Sequence, residues 1–276
     1  MGTATGKQVL ATRTEEQGPL DDKSLASGVS KASPDLLDLI RRAADRLEDR
    51  TTEEILTWSL KEFPGRTTLA TGFGAEGVAL IDMAIKIDLG VDIFSLDTGF
   101  FFPETYELWE QIESRYGVKI RRMTPVLTAD EQDRLHGPRL WERSPDQCCG
   151  IRKIEPLRRA LDGFDGWITA IRRDQTAARA SARVVDWDGK WQLVKVNPLA
   201  KWTRRDVWRY IVGNDLPYNP LHDIGYSSIG CVHCTRAVKP GEDDRAGRWS
   251  GHQKTECGLH ESNVAVNLKT EAAGAV

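Results

Sequence analysis

The sequence predicts an α/β fold, an open and mostly parallel sheet with helices on both faces, followed by an irregular C-terminal tail. Three observations predict it. Short apolar runs alternate with segments whose apolar residues recur at helical spacing. Polar turns containing glycine follow two of those runs. From Asn214 onward the chain is rich in Gly, Pro, His and charge and shows neither period. Alternation of strand and helix is the signature of a parallel sheet covered on both sides.

Residues 1–33 are rich in Thr, Gly, Ser, Glu and Lys and read as a disordered leader. Order begins at Ser33-Pro34, an N-cap followed by proline at the first helical position. Leu36, Ile40, Ala43 and Leu47 then keep helical spacing, and a second helix spans 52–63. Residues 66–71 form a strand, Gly72, Phe73 and Gly74 a turn, and 76–86 a helix. The next strand is 91–96, its turn is Asp97-Thr98-Gly99, and its helix is 104–116. A strand at 118–123, a helix at 151–161 and a strand at 167–171 continue the alternation. Residues 187–191 suit a hairpin turn. A helix at 203–212 opens on its own threonine cap.

A chain of 276 residues with 40% hydrophobic content can build one large domain or two small ones. A formal charge of only -3 gives no bulk attraction to nucleic acid or membrane, and neither is expected as a partner. No apolar run is long enough to span a bilayer, and the N-terminus lacks the apolar stretch of a signal peptide. Five cysteines, an odd number, argue against a secreted disulfide framework and for the reducing cytoplasm.

Those cysteines stand as Cys148-Cys149, Cys231-x-x-Cys234 and a lone Cys257. Adjacent cysteines make a poor zinc pair, because structural zinc takes ligands spaced two to four residues apart. A cubane iron–sulfur cluster offers separate corners to four thiolates, so two neighbouring side chains reach different irons. Cys148, Cys149, Cys231 and Cys234 therefore fit a [4Fe–4S] cluster, with His233 in the spacer left out. A small buried hydrophobe is the bland reading of any one cysteine. Cys148 and Cys149 are expected at the start of a helix, where the dipole and Lys153 favour thiolate. Lys153 could also tune the cluster's electrostatics. Cys257 lies among Arg245, Arg248, Lys254 and His260, cations that lower a thiol's pKa and suit a nucleophile.

Thr71, Gly72, Phe73 and Gly74 join a strand to a helix whose N-terminus can approach an anion. The ending Gly-Lys-Ser/Thr of a Walker loop is missing. Asp97, Thr98 and Gly99 follow the next strand, so both turns reach the sheet edge where ligands bind in such folds. Each could equally be an ordinary turn, with Asp97 as its cap. Arg172 and Arg179, beyond a further strand, suit phosphate or sulfate.

Taken together, LDTG at 96–99, FFPETY at 101–106, CCGIRKIEPL at 148–157 and ITAIRRDQ at 168–175 form a specific set. PYNPLHDIGYSSIGCVHCT at 217–235, GRW at 247–249 and KTECGLH at 254–260 complete it. From about Thr67 to His260 the chain resembles the assimilatory adenylyl-sulfate reductases, in the iron–sulfur branch of a family shared with phosphoadenylyl-sulfate reductases. The resemblance implies an adenine nucleotide α-hydrolase-like fold. Related ATP pyrophosphatases carry an SGGxDS loop, from which residues 71–77 depart, as suits a substrate without pyrophosphate.

It further implies that Cys257 attacks the sulfur of adenylyl sulfate, AMP leaves, and an S-sulfocysteine remains. Thioredoxin, or glutaredoxin, then releases sulfite, in sulfate assimilation and cysteine biosynthesis. Arg179, Arg245, Arg248 and His260 would hold substrate charge. On this reading residues 34–235 form the nucleotide- and cluster-binding domain and 236–276 a flexible tail carrying the nucleophile. A homo-oligomer is compatible with it. The alternatives are a phosphoadenylyl-sulfate or dual-specificity reductase, an iron–sulfur tRNA sulfurtransferase, and a non-enzymatic iron–sulfur sensor. The sulfurtransferase would want an intact pyrophosphate loop and a basic RNA surface, and a sensor has no need of a fifth thiol.

Overall fold

The computed structural model describes residues 32–252, 254 and 256–260. Apart from Ala32 and Ser33, the expected leader lies outside the described residues, as does the tail beyond His260. Helix α1 (Pro34–Leu47) begins where Ser33 Oγ accepts from the Leu36 amide at 3.1 Å. Helix α2 (Thr52–Glu62) opens on a capping box between Thr51 and Glu54. Then follow β1 (Thr67–Thr71), α3 (Ala75–Ile87), β2 (Asp92–Leu96), α4 (Pro103–Tyr116) and β3 (Arg121–Met123). Helices α5 (Ala129–His136), α6 (Leu140–Arg143) and α7 (Pro145–Cys149) precede a π-helical turn at Gly150–Ile154, and α8 (Glu155–Leu161) continues it. Strands β4 (Gly166–Ile168), β5 (Val185–Asp188) and β6 (Leu193–Val196) and helix α9 (Arg204–Gly213) complete the regular elements.

The strands lie in the order β3-β2-β1-β4-β6-β5, all parallel except β5, which pairs antiparallel with β6. The expected α/β class, mostly parallel, is the one observed. Successive residues of each strand face opposite sides, and the two sides differ. Leu69, Ile93, Ile168 and Val194 join a large core with residues of α1, α2, α3 and α9. Phe94, Trp167 and Leu193 join a smaller core with Leu157, Ala160 and Leu161 of α8, against which Leu259 of the tail packs. Asp82 ties three helices together on the large side. Its buried carboxylate on α3 accepts from Tyr116 of α4 at 2.8 Å and Tyr210 of α9 at 2.6 Å.

Several expected elements differ. The strand at 118–123 shortens to Arg121–Met123 and the one at 167–171 to Gly166–Ile168. The hairpin turn at 187–191 is real but carries a full strand on each side. Helices α5 and α6 were not expected, α5 being too polar and α6, at four residues, too short to show an apolar period. The helix expected from 151 starts six residues earlier, at Pro145, and runs through the π turn. Cys148 and Cys149 thus end α7 rather than begin a helix, and the Cys148 amide is bonded to the Ser144 carbonyl at 3.0 Å. No helix among the described residues is long and apolar enough to cross a membrane.

Candidate active site

The chain leaves β1 toward β2 on one side and reaches β4 on the other, so strand order reverses at β1. Ligands of open α/β sheets bind beyond the strand ends at such a reversal. A cavity of about 350 Å³ lies there. Its floor is Thr71, Gly72, Gly74 and Thr98 from the turns after β1 and β2. Helix α3 presents its first turn to it without a side-chain cap, leaving amides directed at the space. Arg172, Arg179, Arg245, Arg248, Lys153, Cys257 and His260 form the walls. Eleven of the fourteen residues singled out for substrate or catalysis are thereby brought together.

The other three are placed elsewhere. The Phe73 side chain is buried in the large core against Trp109, with ring centroids 4.9 Å apart. Its backbone has φ 56°, and Thr71 Oγ1 accepts from its amide at 3.1 Å, so it shapes the turn without lining the cavity. Asp97 is also structural. It accepts from the Gly99 amide at 2.9 Å, Tyr106 hydroxyl at 2.8 Å and Arg122 at 3.0 Å. Gly99 holds φ 71°, a region that favours glycine.

Several wall cations are engaged within the chain. Arg172 pairs with Glu76 and, at 2.8 Å, with Asp174. Arg179 grips Glu256 with two nitrogens, at 2.9 and 2.7 Å. Burial, and then the charges of Arg179 and Arg248, push the Arg245 guanidinium down to about 10. Arg248 donates to Ser228 Oγ and the Ile229 carbonyl, both at 3.3 Å, and stacks on Trp249. Its Nε and His260 Nδ1 are buried without a hydrogen-bond partner.

His260 corrects one expectation. Its ring stacks on Trp167, 5.5 Å between centroids. Burial, together with Lys195, Arg179, Arg245 and Lys190, holds its pKa well below the ordinary imidazole value. It enters the site neutral, as a hydrogen-bonding group, and does not add to the positive charge. Lys254 is tied to Asp146 rather than given over to Cys257. Lys153 and Arg245 line the same cavity as Cys257.

Behind the cavity a smaller one, about 10 Å³, is lined by Cys148, Cys149, Cys231 and Cys234 with Phe100, Trp141, Arg152, Lys153 and His233. None of the five cysteines forms a disulfide. Burial and the neighbouring thiols push Cys148 up to about 12 and Cys234 up to about 11. The helix-start argument for easy ionisation thus fails for Cys148, which is buried among other thiols. His233 stacks flat on Trp141, 3.9 Å between centroids. Arg152, buried, donates to the Thr98 carbonyl at 2.9 Å, while its Nε and Nη2 have no partner. No group of His, Cys, Asp or Glu among the described residues is arranged to hold a single metal ion.

Lys153 lines both cavities. Burial alone would lower its pKa, but Cys231, Cys257 and Cys149 outweigh burial and hold it raised, so it stays charged. Lys153 lies in the π turn, directly after Arg152, which lines the cysteine pocket alone. Glu256 was missed by sequence reasoning. Only its place beside Cys257 could have flagged it.

Comparison with known proteins identifies the family. The family model of the phosphoadenosine phosphosulfate reductase domain matches residues 66–237. The chain is 48% identical over 208 residues to adenosine 5'-phosphosulfate reductase 1 of Bacillus subtilis, covering 75% of this chain and 89% of that one. It is 45% identical over 224 residues to a phosphoadenosine 5'-phosphosulfate reductase of Gloeobacter violaceus, covering 80% and 93%. The crystal structure of phosphoadenylyl-sulfate reductase from Candida auris, a phosphate complex, superposes with TM-score 0.65 at 31% identity, covering 76% of this chain and all of that one. The adenine nucleotide α-hydrolase-like fold follows, and the chain belongs to the phosphoadenosine phosphosulfate reductase family.

Proposed function

We propose that this chain reduces adenylyl sulfate to sulfite and AMP, with Cys257 as the nucleophile. The observation that carries the reading is Cys257 in the wall of one cavity with Lys153, Arg245, Arg248 and the uncapped end of α3. Relatives named for adenylyl sulfate share nearly half of their residues with this chain, and that substrate fits a site rich in anion-binding groups.

Cys257, as thiolate, forms a bond to the sulfur of adenylyl sulfate while the sulfur–oxygen bond to phosphate breaks. The electron pair leaves with AMP, a good leaving group that needs little acid catalysis, and an S-sulfocysteine remains. Arg245, Arg248 and the α3 amides oppose the charge of the departing phosphate. Lys153 opposes that of the sulfonate. Neutral His260 can hold an oxygen through its unpartnered Nδ1. A dithiol protein, thioredoxin in this reading, attacks Cys257 Sγ and displaces sulfite, and its second thiol resolves the mixed disulfide. The two electrons come from that dithiol. The segment that carries Cys257 must close over substrate and open to the donor.

Cys148, Cys149, Cys231 and Cys234 would hold a [4Fe–4S] cluster. The four thiols share one pocket, and the orphaned Arg152 donors beside them suit thiolate or sulfide acceptors. A cubane spans more than one ion position, so the want of a single-ion site does not oppose it. Such a group supplies fixed charge next to Lys153.

Anaerobically prepared protein, given adenylyl sulfate alone, should gain the mass of one sulfonate on Cys257 and release AMP. Adding reduced thioredoxin should then release sulfite. Cys257→Ser should do neither. Iron and acid-labile sulfide near four each per chain, with a brown chromophore, is the expected composition. An unmodified Cys257 with AMP released would refute the nucleophile, and zinc in place of iron would refute the cluster.

A further inference from the structure

Resting on the reductase reading, we propose that Glu256 is a positioning residue: its carboxylate docks the Cys257 segment onto Arg179 and holds the thiol over the cavity. Glu256 is buried, and both its oxygens accept hydrogen bonds. Oε1 accepts from Thr176 Oγ1 at 3.1 Å and Arg179 Nε at 2.9 Å. Oε2 accepts from Arg179 Nη2 at 2.7 Å, and Arg245 Nη2 stands 3.7 Å away. A two-nitrogen fork on a carboxylate fixes orientation as well as distance, which a single ammonium would not do.

A second clasp grips the other side of Cys257. Lys190 Nζ donates to the Gly258 carbonyl at 2.7 Å, and Trp191 Nε1 to the Leu259 carbonyl at 3.3 Å. Both donors belong to the β5–β6 hairpin, so the antiparallel edge of the sheet acts as a receptor for the tail. The segment from Glu256 to Leu259 has no helix or strand to fix it. Its aim therefore rests on side chains, with Arg179 and the β5–β6 hairpin as its polar anchors and the packing of Leu259 on the smaller core as its apolar one. Arg179, expected to bind substrate, is spent in this closed form on the residue beside the nucleophile.

The two half-reactions place opposite demands on this dock. Sulfonation of Cys257 needs the thiol held at the cavity, whereas attack by an external dithiol needs it exposed. Weakening the dock should slow the first and spare the second.

The test uses full-length, cluster-loaded Glu256→Gln. Single-turnover sulfonation of Cys257 by adenylyl sulfate should slow about tenfold or more, since misplacement near 1 Å costs up to ~10²-fold. Discharge of the preformed S-sulfocysteine by dithiothreitol should run at least as fast as in the parent. Iodoacetamide should alkylate Cys257 faster, and AMP affinity should stay within about twofold. Glu256→Asp, which keeps the charge, should recover part of the sulfonation rate. Should Glu256→Gln not fold, Lys190→Met loosens the other clasp and should give the same split.

Equal slowing of both half-reactions, or unchanged sulfonation and alkylation, would overturn the proposal. Tighter substrate binding at an unchanged sulfonation rate would overturn it too, because the carboxylate would then be a competitor of substrate. Failure of the reductase reading is separately visible: the parent protein would form no S-sulfocysteine, while alkylation would still report the dock.

Discussion

Replacing Asp82 with Asn tests the brace that ties α3, α4 and α9 together. The carboxylate is 2% exposed and accepts from Tyr210 at 2.6 Å, Lys86 at 2.7 Å and Tyr116 at 2.8 Å. A hydrogen bond to a charged group contributes about 1.5–3 kcal/mol net. The Lys86 side chain is 54% exposed, so its ion pair counts for less than about 1 kcal/mol. Asn keeps one acceptor for one tyrosine and presents NH₂ to the other. The loss should therefore be about 3 kcal/mol, most of it from one tyrosine hydrogen bond and the weakened second. For a domain of this size that lowers Tm by about 6–12 °C.

Burial alone would raise the Asp82 pKa, but the bonds from Lys86, Tyr210 and Tyr116 outweigh it and hold it below the ordinary carboxylate value. The folded pKa lies below the unfolded one, so the stabilisation is present above the unfolded value and lost as pH falls through the folded one. The Tm gap between parent and Asp82→Asn, read by circular dichroism, should be full at neutral pH and shrink below about pH 4. An unchanged Tm at neutral pH, or a gap that widens on acidification, would refute the reasoning.

Lys153→Met should lower kcat/KM for adenylyl sulfate by about 10²-fold with little change in far-UV circular dichroism, as loss of one preorganised charge does elsewhere. Gly247→Ala should cost about 1–3 kcal/mol, because a Cβ there would be driven into the Arg236 carbonyl oxygen, a backbone atom that cannot swing aside. Its clearest readout is a faster proteolytic cut between 236 and 252. Arg66→Ala should change stability by less than about 1 kcal/mol in urea titration, since its pair with Asp165 is exposed on both sides.

Much of the frame was legible because local chemistry and packing agree. Ser33 and Thr203 cap the helices that their side chains announce. The alternating apolar runs became strands with one residue in each core, as Leu69 and Ala70 show. The two cysteine pairs, 82 residues apart from Cys149 to Cys231, share one pocket. Other features were invisible for physical reasons. Helix α5 is stabilised by its ends rather than by an apolar face, and its capping box, Thr128 with Glu131, was the one available signal. The π turn is a change of backbone bonding that side-chain pattern does not encode. Phe73 looked like part of an anion loop because its neighbours are glycines, yet its ring belongs to the core. Glu256 finds Arg179, 77 residues away in sequence, only through the folded tail.

Lys153, with one face on the cysteine pocket and another on the ligand cavity, joins the two sites thermodynamically. If the four cysteines hold the proposed cluster, its charge and that of a bound sulfate act on the same ammonium. Coupling of this kind is reciprocal: whatever factor the cluster contributes to affinity for the nucleotide, the nucleotide must return to retention of iron. Substrate would then change how firmly the metal centre keeps its iron, in the direction set by the balance between shared attraction to Lys153 and repulsion between the two anions. Equilibrium chelator titrations with and without AMP-linked sulfate should differ by that factor, and Lys153→Met should alter it.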